Sequence, residues 1–244
     1  MAFQFSPKIV TDGLVLLLDA GNTKSYPGTG ATWSDLSRSR LSGSLVASPT
    51  FNSSNGGSLV FNGTSQNVEL GSVPVLQFTN TQPFSVSAWF RWTEASSVFG
   101  ALISYAPNTG LGWYVGLDRS GTIGTNIVYF DYVASAVSFR GIFTGSNSII
   151  TNSWVNVVAT TDSTNTVAGM RIYINGNRAS TTVRGSASPA TPSYSGLTFQ
   201  IASRASDNTT RFEGNISQVL IHNRELSATE VLQNYNATKS RFGL

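Results

Sequence analysis

The twelve acidic residues are the first place to look for catalysis, and they are scattered. Asp12, Asp19, Asp35, Glu69, Glu94, Asp118, Asp131, Asp162, Asp207, Glu213, Glu225 and Glu230 occur one at a time along the 244 residues. Retaining glycoside hydrolysis needs two carboxyl groups about 5–5.5 Å apart. A strand supplies such a pair from alternate residues, which share a face, and no two acids here have that spacing. Glu225 and Glu230 lie close in sequence, but Glu230 is taken by a helix cap. His222 is the only histidine. A Ser-His-Asp triad would need it, yet no G-x-S-x-G occurs, so His222 reads as a strand residue without catalytic work. Without cysteine there are no disulfides and no thiolate metal sites, and zinc has no ligand set. The phosphate-cradling patterns G-x-x-x-x-G-K-[ST] and G-x-G-x-x-G are missing too. The expectation is that the chain is not an enzyme.

Binding chemistry is less easily dismissed. A Ca²⁺ ion takes carboxylate and carbonyl oxygens, for which Asp118, Asp162 and Asp207 are weak candidates; the plainer reading is turn acids capping their own backbone. No cofactor is otherwise expected. Sugar binding needs an exposed aromatic ring with a few amides or carboxylates. Trp33, Trp113, Tyr114 and Tyr194 are the candidate platforms, with Tyr129 and Tyr132 behind them, although most aromatics in a β-protein are core. Five N-x-[ST] sequons start at Asn52, Asn62, Asn208, Asn215 and Asn236, and they reflect a composition rich in Ser, Thr and Asn.

The elements that must carry these residues are mostly strands. Phe84, Val86, Ala88, Phe90 and Trp92 alternate with Ser85, Ser87, Trp89 and Arg91, a clean period of two. Gly13–Asp19 is an apolar run suited to a strand buried on both faces. Further short strands are expected at 58–61, 67–70, 99–105, 111–117, 127–132, 137–143, 154–161, 168–174, 178–183 and 197–203. Asn175-Gly176 marks a hairpin, since a type I′ turn needs positive φ at both positions. The stretch from Phe212 to Tyr235 reads as a strand, a turn and the one helix. Ser227 and Glu230 form an S-x-x-E capping box, Leu226 and Val231 a hydrophobic staple, and Val231, Leu232 and Tyr235 one apolar stripe. The fold class expected is all-β: a two-sheet antiparallel sandwich with one short C-terminal helix. The organisation expected is an N-terminal arm at 1–12, the domain at 13–238 and a tail at 239–244.

Composition agrees. Charged residues make up 11%, against about 25% in ordinary domains. The net charge of +3 comes from 12 scattered Arg and 3 Lys against the 12 acids, which does not suggest nucleic acid. No apolar run reaches the roughly 18 residues of a membrane span, and the first residues lack the pattern of a secretory signal.

The segment F-x-G-x-I-x-x-V-x-I-x-N-R-x-L-S-x-x-E-V-x-x-x-Y, carried by Phe212, Gly214, Ile216, Val219, Ile221, Asn223, Arg224, Leu226, Ser227, Glu230, Val231 and Tyr235, resembles the C-terminal signature of laminin-G-like, concanavalin A-like jelly rolls. GLVLLLD, FSVSAWFRW and the span from Trp154 to Asn177 agree with it, while the glucanase E-x-D-x-x-E is absent. The opening GLVLLLDAGNTKSYPGTGATWSDLS resembles laminin-G-like domains of tailed-phage virion proteins. That resemblance implies a non-enzymatic virion protein on the particle surface, either a capsid decoration (cement) protein or a fibre component. It would be made in the host cytoplasm and held by other virion proteins such as the major capsid protein, and a homo-oligomer is compatible with it. Phe3, Phe5, Ile9, Phe242 and Leu244 in the terminal segments are the expected partner contacts. The alternative is a carbohydrate-binding lectin module for host or glycan attachment, and a glycan-active hydrolase is the weaker third.

Overall fold

A computed structural model describes residues 7–93, 99–106, 111–135, 137–204 and 210–244. In chain order the strands are β1 Leu14–Asp19, β2 Thr32–Ser34, β3 Ser42–Val46, β4 Thr50–Asn52, β5 Ser58–Asn62, β6 Asn67–Gly71, β7 Phe84–Trp92, β8 Phe99–Tyr105 and β9 Gly112–Asp118. They continue as β10 Ile127–Ser135, β11 Ser138–Thr144, β12 Trp154–Thr161, β13 Met170–Ile174, β14 Asn177–Arg178, β15 Thr181–Ser186, β16 Phe199–Ile201 and β17 Glu213–His222. The helix α1 is Ala228–Thr238, followed by a 3₁₀ turn at Lys239–Phe242.

Two antiparallel sheets face each other. One runs β14-β13-β12-β7-β17-β5-β4, with β1 also paired to β17; the other runs β15-β11-β10-β9-β8-β16-β6-β3-β2. The inward parities meet in one core: Phe84, Val86, Ala88, Phe90 and Trp92 pack with Trp113, Phe130 and Phe199. The alternation read in β7 is therefore real, and its other parity, with Trp89 and Arg91, faces away from the second sheet. Asn175 and Gly176 have φ of 49° and 78°, the two positive values a type I′ turn requires, and they join β13 to β14. The strand expected at 178–183 is instead broken. β14 stays with the first sheet while β15 crosses to pair with β11 of the second. Trp33 lies in the short strand β2.

The helix begins as its sequence demands. The Ser227 hydroxyl accepts from the Glu230 amide, and the Glu230 carboxylate accepts from the Ser227 amide. Arg224 grips that carboxylate through Nη1 at 3.0 Å and Nη2 at 2.6 Å and reaches Asp12 at 2.8 Å. The Arg224 fork holds the Glu230 carboxyl down at about 2, with burial opposing and the Ser227 amide and hydroxyl assisting. Val231 is fully buried with Leu226, Val10, Val158 and Tyr173, whereas Leu232, expected in the same stripe, is 43% exposed. No helix among the described residues is long and apolar enough to cross a membrane.

Neither terminal segment is loose where it is described. The Val10 amide donates to Asn234 Oδ1 at 2.7 Å, and His222 Nε2 lies 3.0 Å from the Val10 carbonyl, so this nitrogen carries the proton. Phe242 is buried, its ring stacked 4.1 Å from that of Trp89. Of the expected partner contacts, Phe242 is thus part of the fold, because an outward tryptophan on a sheet needs a cover. Ile9 is half-buried, Leu244 is 50% exposed, and Phe3 and Phe5 lie outside the described residues.

His222 leads to a pH prediction. Burial holds the ring below its ordinary 6.5, helped by Arg224 and opposed by the Val10 carbonyl, Glu230 and Asp12. Its Nδ1 has no partner, so protonation would bury an uncompensated charge. Below pH 6.5 the unfolded chain binds a proton that the folded chain refuses, and stability falls as pH drops. Melting temperature should therefore decline between about pH 7 and 5, more steeply in the native chain than in His222→Gln. Parallel profiles would remove the ring from the account.

Candidate binding site

Three residues on neighbouring strands line up across the outward face of the first sheet. Trp154 of β12 is in register with Arg91 of β7, and Arg91 with Asn215 of β17. Each has the parity that points away from the core, since Val155, Phe90 and Ile216 beside them point in. The row opens onto a pocket of about 220 Å³, closed on the far side by Asn52, Ser54, Asn55 and Ser58.

The polar groups are fixed by one another. Arg91 donates from Nε at 3.3 Å and Nη2 at 3.1 Å to Asn215 Oδ1. The Asn215 amide then donates to Ser58 Oγ at 3.0 Å. Trp154 is half-buried, and its Nε1 donates to Asn55 Oδ1 at 3.1 Å. Its ring leans on Phe242 at 4.7 Å, so one indole edge is held from behind.

The tail positions the loop that carries Asn55. Arg241 donates to the carbonyls of Asn55 (3.2 Å) and Gly57 (3.3 Å) and to Ser217 Oγ (2.8 Å), and pairs with Asp19 at 2.8 Å. This crossing demands glycine: a Cβ on Gly21 would sit 2.0 Å from Arg241 Nη2, and Gly56, at φ 76°, would bring one within 2.8 Å of Nε. The arrangement offers an aromatic face beside fixed amide, hydroxyl and guanidinium groups, the composition of a small-ligand site. None of the lining residues is Asp or Glu, so the pocket itself holds neither the acid nor the nucleophile of a glycosidase.

The aromatics expected to be platforms lie elsewhere, in the interior. Trp33 and Trp113 are fully buried, and Tyr114 and Tyr194 are 3% and 7% exposed. Trp113 donates to the Leu76 carbonyl at 3.0 Å. Tyr114 donates to Asp131 at 2.7 Å beneath the guanidinium of Arg204. Tyr194 and Tyr132 both donate to the Phe78 carbonyl, and burial raises both phenols, that of Tyr132 to about 12. Tyr129 is likewise buried. These rings are drawn inward by the apolar area they remove from water, so none presents a free face.

Of the calcium candidates, Asp118 and Asp162 each serve their own turn. Asp118 is buried and accepts from Ser120 and Ile123, while Asp162 accepts from the amide and hydroxyl of Thr164. Burial would raise the Asp162 carboxyl, but the Thr164 bonds, with Arg171 and Arg140, bring it below the usual range. Both are turn caps, and Asp207 lies outside the described residues. Among the described residues no three of His, Cys, Asp and Glu gather. Trp154 is not among the expected platforms, although the alternation W-V-N-V-V-A sets it with Asn156, opposite the core valines. Asn52 and Asn215, noted only as sequon starts, also belong to the pocket, and Asn215 is too buried, at 2% exposure, to accept a glycan.

Several solved structures share the fold. The binding domain of Paraclostridial Mosquitocidal Protein 1 superposes with a TM-score of 0.69 at 16% identity, over 92% of this chain and 52% of that one. The binding domain of botulinum neurotoxin serotype G gives 0.65 at 19%, over 91% and 50%. Domain 4 of AbnA, a GH43 extracellular arabinanase from Geobacillus stearothermophilus in complex with arabinotriose, gives 0.62 at 18%, over 93% and 100%. The chain spans about half the length of the two toxin domains. No curated protein matches it. A family model described as the concanavalin A-like lectin/glucanases superfamily matches residues 62–232, and with the two-sheet sandwich around those residues the chain belongs to that superfamily.

Proposed function

We propose that this chain is a non-catalytic, carbohydrate-binding module that takes a sugar ring in the pocket of Trp154, Arg91 and Asn215. The observation that carries this reading is the row itself: a half-buried indole in register with an oriented guanidinium and an oriented amide. An indole face suits the apolar C–H face of a pyranose, and fixed amides suit its hydroxyls. The neighbouring folds support a binding role, since two of them are toxin binding domains and one holds arabinotriose. This places the lectin alternative ahead of the virion reading. The terminal segments expected as partner contacts add nothing to the virion reading, since residues 7–12 and 239–242 are tied into the domain. A place on a phage particle is compatible with glycan attachment and rests on the resemblance of the opening segment alone.

Glycan-array screening followed by calorimetric titration tests the proposal. Trp154→Ala should weaken the best ligand by about tenfold or more, the equivalent of one well-packed aromatic contact. A hit whose affinity ignores Trp154 would move the site elsewhere, and an array with no hit would defeat the reading.

A further inference from the structure

Arg91 differs from the four ion-paired arginines of the fold. Arg171, Arg184, Arg224 and Arg241 each face a carboxylate. Arg91 makes no ion pair among the described residues, although it is half-buried in a concave pocket with no acidic lining residue. Withdrawing a guanidinium partly from water without a counter-charge is unfavourable, so among the described residues this charge stands uncompensated at a cost. Its orientation is also committed. Nε and one hydrogen of Nη2 are spent on Asn215 Oδ1, which is itself held by Ser58. That leaves Nη1 and the second hydrogen of Nη2, the end-on edge of the fork, whose two parallel N–H bonds match a carboxylate. We propose that the pocket selects an acidic sugar, a hexuronic acid whose ring lies on Trp154 and whose carboxylate is taken by the end-on edge of Arg91.

This rests on the sugar-binding reading of the same pocket, and the test separates the two. The probes are a galacturonate trisaccharide and its methyl ester, which keeps the shape and removes the charge. The native chain should bind the acid about tenfold more tightly than the ester, and the difference should shrink as salt is raised. Arg91→Gln should collapse the ratio of the two affinities towards one, and Arg91→Lys, which keeps the charge but not the fork, should retain part of it. Melting curves of both variants confirm folding. Equal affinities in the native chain, or a preference that survives Arg91→Gln, would overturn the acidic selection while leaving a neutral-sugar site standing. Binding of neither probe, with neutral glycans still dependent on Trp154, would also overturn it. Loss of all glycan binding would remove the underlying reading as well.

Discussion

Trp89→Ala is expected to lower the unfolding free energy by about 3–5 kcal/mol, the range for removing a buried aromatic. Trp89 points away from the core, yet it is 1% exposed. Its ring is stacked between Phe242, at 4.1 Å, and Tyr235, at 5.7 Å, and its Nε1 donates to Thr238 Oγ1 at 2.9 Å. One side chain therefore seats both α1 and the 3₁₀ turn on the sheet. A helix of 11 residues is too short to hold its shape alone, so losing the seat should fray its C-terminal half. Urea unfolding measures the loss, with Trp89→Phe as the milder control. A destabilisation under about 1 kcal/mol, the level of an ordinary surface change, would show that the helix and turn are held by other contacts.

The second large effect is expected at Arg241. Its alanine variant should lose about 2–3 kcal/mol, because the ion pair with Asp19, 14% exposed, is lost together with the bonds to the Gly57 carbonyl and Ser217 Oγ. It should also weaken glycan binding, since the Asn55 carbonyl loses its tether. Lysine should rescue little, having one point charge where the guanidinium serves four acceptors. Chemical unfolding and titration on the same samples check both halves. Affinity preserved in a destabilised Arg241→Ala would show that the Asn55 loop holds its shape without the tail.

Much of this architecture was legible in the residues. The capping box of Ser227 and Glu230, the Asn175-Gly176 turn and the alternation of 84–92 are local signals whose physics acts within a few residues, and each appears where expected. The short strands β2, β3 and β4 were missed. Three to five residues rich in Ser, Thr and Gly carry no period to detect, and neighbouring strands recruit them. The crossing of β15 to the second sheet is likewise invisible, because nothing in T-T-V-R-G-S says which sheet it joins. The site was half legible. Parity gave the outward direction of Arg91 and could have given that of Trp154. Their meeting with Asn215 depends on the register of three strands distant in sequence, which no local pattern encodes. The tail misled for a similar reason: Phe242 looks unattached until the two outward tryptophans it covers are brought together by that register.

The position of β17 has a bearing on how the molecule is made. It sits between β7, β5 and β1, so the middle of the first sheet is made long after the strands it joins. Synthesis runs from the N-terminus at about 5–20 residues per second, and for that interval β1, β5 and β7 wait with unsatisfied edges and apolar faces. Pairings between such distant segments place the fold among slow, high-contact-order topologies. Through that wait the nascent chain has few charges to keep it from its neighbours, so recovery of soluble material should improve with slower synthesis or cooler growth more than with any surface substitution.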